Sequence, residues 1–76
     1  MTEAVFRERL RHPDPLIRAQ WQGHLLREAN FEEVWNYVSL DEVLENWEHI
    51  QRHLGRQRGF WEFLLNGWRE DGLISA

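Results

Sequence analysis

Cysteine is missing from this 76-residue chain, which excludes disulfides and thiolate metal sites together. Lysine is missing as well: all nine basic residues are arginines, a bias that GC-rich codon usage explains without invoking function. Serine occurs only at Ser39 and Ser75, and Ser39 has the setting of a helix N-cap, so no Ser–His–Asp constellation can be read. There is no glycine-rich phosphate loop. No apolar run approaches the roughly 20 residues that span a bilayer. The first nine residues also lack the basic and then apolar regions of a signal peptide. These absences set the expectation of a cytoplasmic, bacterial, non-enzymatic protein with no cofactor, no metal and no membrane partner.

A chain of this length makes one domain and buries only about 60% of its unfolded surface. With no disulfide to help, its stability must come from dense packing or from oligomerisation. Five tryptophans (Trp21, Trp35, Trp47, Trp61 and Trp68) and four phenylalanines suit either route, since each aromatic buries about 150–250 Å².

The net charge is −4, and its distribution matters more than its total. Seven acids (Glu28, Glu32, Glu33, Asp41, Glu42, Glu45 and Glu48) fall between Glu28 and Ile50, with no arginine among them. Arginines crowd the flanks, from Arg7 to Arg27 on one side and from Arg52 to Arg58 on the other. Such a run is either a solvated face or a surface that steers toward a basic partner.

The fold class expected is all-α: a compact bundle of four to five short helices, one domain over residues 1–76. Thr2 can cap a first helix ending near Arg11, and Asp14-Pro15 has the form of an N-cap followed by proline at the first helical position. The second helix should run from Pro15 to about Ala29, with Ile17, Trp21 and Leu25 stacked and an otherwise blurred apolar arc. Asn30 with Glu33, and Ser39 with Glu42, both have the form of capping boxes. The fourth helix carries the cleanest stripe, Leu40, Val43, Leu44, Trp47, Ile50 and Leu54, within about 120°, and Gly55 should end it. The last helix, from about Phe60 to Glu70, is apolar over roughly 200° of its girth. A helix of that kind must be central or must present its surplus to a partner. The core expected is drawn from Phe6, Leu10, Trp21, Leu25, Val34, Trp35, Leu40, Val43, Leu44, Trp47, Ile50, Leu54, Phe60, Leu64 and Trp68.

Protein partnership follows as the leading function, because tryptophan and arginine dominate interface hot spots. The expected partner-binding residues are Trp61, Leu65 and Trp68 on the last helix, together with Glu42, Glu45 and Glu48. The partner would be a basic protein or a second copy of the chain, with the protein acting as a regulator, antitoxin-like neutraliser or accessory subunit. On this reading Trp61→Ala weakens association more than folding. The alternative is a small nucleic-acid-binding regulator using the cluster Arg52, His53, Arg56 and Arg58 beside Phe60 and Trp61; the net negative charge counts against it. Glu45, His49 and His53 share one helical stripe that could ligate zinc, yet a stripe opposite the apolar face is more simply a solvated one.

Residues 12–18, His-Pro-Asp-Pro-Leu-Ile-Arg, resemble a segment of HEAT-type helical repeats, but the segment occurs once and no second copy follows at a repeat period. Gly72-Leu73-Ile74 after a helix resembles a winged-helix lead-in with no strands to follow. Neither resemblance carries a function with it.

Overall fold

The computed structural model describes residues 2–72, so Leu73, Ile74 and Ser75 of the sequence reading lie outside the described residues. Within them the chain forms α1 (Glu3–Arg9), α2 (Pro15–Glu28), α3 (Phe31–Val34), α4 (Leu40–Glu45), α5 (Trp47–Ile50), two 3-10 turns (Gln51–His53 and Gly55–Gln57) and α6 (Arg58–Glu70), with no strand. The all-α bundle expected from the sequence is the fold observed.

Local chemistry sets most of the helix starts. The Thr2 hydroxyl accepts from the Val5 amide at 3.2 Å, and Asp14 accepts from the Leu16 amide at 2.9 Å with Pro15 as the first residue of α2. Ser39 and Glu42 close a full capping box, each accepting from the other's backbone N–H at 3.2 Å. Asn30 does not: its side chain makes no cap hydrogen bond and instead donates to Glu33 at 3.4 Å. The α3 that follows is only four residues long.

The single fourth helix expected through Leu54 is broken. Asn46 leaves helical geometry (φ −111°, ψ 14°) and separates α4 from α5. Its side-chain amide donates to the Pro15 carbonyl and to Gln22 Oε1, both at 3.0 Å, so the break is pinned to α2. The helical path then tightens into 3-10 turns around Gly55, whose φ of 54° is the left-handed geometry that glycine alone adopts freely.

At the centre lies α2, which contacts α1, α3, α5 and both 3-10 turns. The face it buries is Ala19, Gln22, Gly23, Leu25 and Leu26, not the expected Ile17–Trp21–Leu25 line. Ile17 is exposed and Trp21 half-buried. At Gly23 the neighbouring segment comes too close for a side chain. A Cβ at Gly23 would sit 2.5 Å from the His53 Cβ and 3.4 Å from the Ile50 carbonyl oxygen.

The expectation of exposure at Trp61 and Leu65 is overturned: they are 2% and 1% exposed and are the two buried residues of α6. The buried ring also makes a hydrogen bond that fixes its place. The last carbonyls of a helix have no partner within it, and the Trp61 indole N–H donates to one of them, the Leu26 oxygen near the end of α2, at 3.2 Å. Phe60, expected in the core, is exposed. Val34, Val43, Ile50, Leu54, Leu10 and Leu25 are buried as expected, whereas Phe6, Trp35, Leu40, Leu44, Trp47, Leu64 and Trp68 are half-buried.

Candidate docking surface

The segregated charges of the sequence meet across the fold. Arg7 donates to the Asn36 carbonyl at 3.0 Å and stacks 4.5 Å over the Tyr37 ring, while Arg11 donates to the Tyr37 carbonyl at 3.1 Å and pairs with Glu42 at 3.4 Å. The arginines around the end of α1 therefore clamp the loop between α3 and α4. Glu42, doubly occupied by its capping box and by Arg11, is a structural residue. Glu45 and Glu48 are exposed, as are Glu32 and Asp41, and none of these four has an ion-pair partner among the described residues.

Five of the aromatics gather where α3 meets α6. Trp61 lies at the base, with the Phe31 ring at 5.8 Å, Phe60 at 5.9 Å and Trp35 at 5.9 Å. Trp68 completes the cluster at 6.3 Å from Trp35 and is half-buried. The outer rings, Phe31 and Phe60, touch edge to face at 6.2 Å and are 41% and 47% exposed, and Phe63, one helical turn beyond Phe60, is 75% exposed. Between Phe31, Phe60, Gln57 and the Trp61 floor is a cavity of about 100 Å³. Glu32 and Glu33 follow Phe31 directly and are both exposed.

The basic cluster proposed for nucleic acid is divided. Arg58 is held by Glu62 at 2.7 Å and donates to Gln51 at 3.1 Å, leaving Arg52 and Arg56 exposed. The Glu45–His49–His53 stripe is not brought together either. Glu45 opens onto a cleft with Arg11 and Arg18, whereas His53 lies against α2 in a pocket with Trp21, His24 and Arg27. The break at Asn46 and the 3-10 turn that carries His53 disrupt the regular 100° spacing on which that stripe depended.

Sequence reasoning placed the surplus of α6 on the correct helix and on the wrong side of it. Phe31 was missed as a surface residue; its place directly after the Asn30 N-cap, ahead of two charged residues, was the available signal. No family model, no curated protein and no solved structure matches the chain.

Proposed function

We propose that the chain is a small non-enzymatic interaction module that docks a larger basic protein, as a regulator, neutralising partner or accessory subunit would. The observation that carries this reading is the touching pair of exposed rings, Phe31 and Phe60, beside a small cavity floored by Trp61, with Phe63 exposed one turn further along α6. Exposed apolar area at about 25 cal/mol per Å² is a standing cost in water that a partner would relieve. Contiguous patches of this kind, rimmed by charge, mark contact sites. Hot spots centre on such aromatics, and the cavity offers a place for one aliphatic side chain of the partner.

Charge selects the partner's sign. The net charge of −4, and the unpaired Glu32 next to Phe31, favour an apolar segment flanked by arginine or lysine. The test is capture of partners from the native extract by the full chain and by Phe60→Ser/Phe63→Ser, with helicity checked by circular dichroism. One basic protein retained by the parent and lost from a folded double variant supports the reading. A parent that sediments as a dimer, with the variant monomeric, would replace the basic partner with a second copy of the chain.

A further inference from the structure

On a different set of residues from the aromatic patch, α2 and α4 face each other across a cleft of about 240 Å³. α2 contributes Arg18 and Gln22, one turn apart; α4 contributes Glu42 and Glu45; Arg11 also lines the cleft. Arg11 and Glu42 form an ion pair at 3.4 Å. Arg18 and Glu45 do not. The Arg18 guanidinium donates to the His12 carbonyl at 2.9 Å and has no carboxylate partner, and Glu45 has no ion pair, among the described residues. Two opposite charges thus line one cleft without closing on each other.

The floor of the cleft is polar. Gln22 is 1% exposed, and its Oε1 accepts from Asn46 at 3.0 Å, so what it has left for the cleft is its amide N–H. That donor and the Arg18 fork suit a carboxylate, which arginine binds through paired N–H groups. Glu45, with Glu42 in the same lining, suits an ammonium. A lone anion entering here would face two carboxylates, and a lone cation two guanidiniums. A ligand carrying both charges satisfies each side and offends neither. At about 30 Å³ per water the volume holds about eight waters, the room of one small organic molecule.

The geometry points to this cleft as a binding site for a free α-amino acid, its carboxylate held by Arg18 and the Gln22 amide and its ammonium by Glu45. The full chain, labelled with ¹⁵N, is titrated with L-alanine, and separately with acetate and with methylammonium. L-alanine should give saturable shifts at the Gln22 side-chain amide, with each half-ligand weaker by about tenfold or more, as expected when two charge-assisted contacts are made together. Arg18→Gln and Glu45→Gln should each weaken L-alanine by a similar factor, and Glu45→Gln should leave acetate binding undiminished. Glu45 is exposed and unbonded, so its variant reports even if Arg18→Gln fails to fold. No saturable shift at tens of millimolar L-alanine, shifts confined to another region, or acetate binding as well as L-alanine would each overturn the assignment.

Discussion

The helices α2 and α6 are of similar length, 14 and 13 residues, and opposite in character. By sequence α2 is scarcely amphipathic, whereas α6 segregates its rings from its polar residues clearly. Yet α2 is the hub of the fold, and α6 buries only Trp61 and Leu65 completely. In a bundle this small the central position goes to the helix that lets neighbours come closest, which is a matter of side-chain size before hydrophobicity. Gly23 admits the chain around Ile50 and His53, and Gln22 holds the Asn46 break. The more strongly amphipathic α6 packs Trp61 against α2 and α3 and leaves Phe60 and Phe63 exposed.

Trp61→Ala is the sharpest way to separate the two helices. It removes a buried aromatic, worth about 3–5 kcal/mol, and leaves the Leu26 carbonyl without the indole N–H. Against the few kcal/mol expected for a domain of this size, the variant should be largely unfolded at 37 °C by circular dichroism. The effect falls on folding first, which reverses the expectation that Trp61 serves association. A loss below about 1 kcal/mol in urea titration, far short of a buried tryptophan's share, would mean that α6 is held by something other than this anchor.

Two glycines give the next test, because the same substitution should have opposite signs in the two helices. Gly23→Ala places a methyl group 2.5 Å from the His53 Cβ, so the overpacking cost of about 1–3 kcal/mol should outweigh the gain of about 1 kcal/mol in helix propensity. Gly67→Ala adds a methyl group to α6 with nothing within 4 Å, and should stabilise by about 0.5–1 kcal/mol. Paired thermal melts decide the matter. Two shifts of the same sign would remove the packing argument for α2 as the hub.

What could be read in advance was whatever neighbouring residues decide among themselves. The Asp14-Pro15 start of α2 and the Ser39–Glu42 box depend on side chains within three residues of the groups they cap. The break at Asn46 does not: it is fixed by Gln22 and Pro15, 24 and 31 residues away, so an uninterrupted stripe through Leu54 was the natural reading. The buried face of α2 was illegible for another reason, since a periodicity search weighs isoleucine and tryptophan above glycine and alanine. On α6 the 200° arc announced a surplus but could not say which part α2 and α3 would cover. The cleft of Arg18 and Glu45 left no trace in the pattern, because the two residues had been divided between a basic flank and an acidic run.

The smallest effect is predicted where α6 is most apolar and least covered. Phe63 is 75% exposed, and alanine is the better helix former by about half a kcal/mol, so Phe63→Ala should leave stability within about 0.5 kcal/mol of the parent. Set beside Trp61, two residues earlier on the same helix, the contrast is the content of the prediction: one ring holds the fold and the other is available to a partner. Equilibrium urea unfolding of the isolated chain reads it directly. A loss above about 1 kcal/mol, more than an uncovered surface site should give, would show that the protein's own fold covers Phe63. The exposed aromatic surface would then shrink to Phe31 and Phe60, and a docking site there would have to be carried by the small cavity between them.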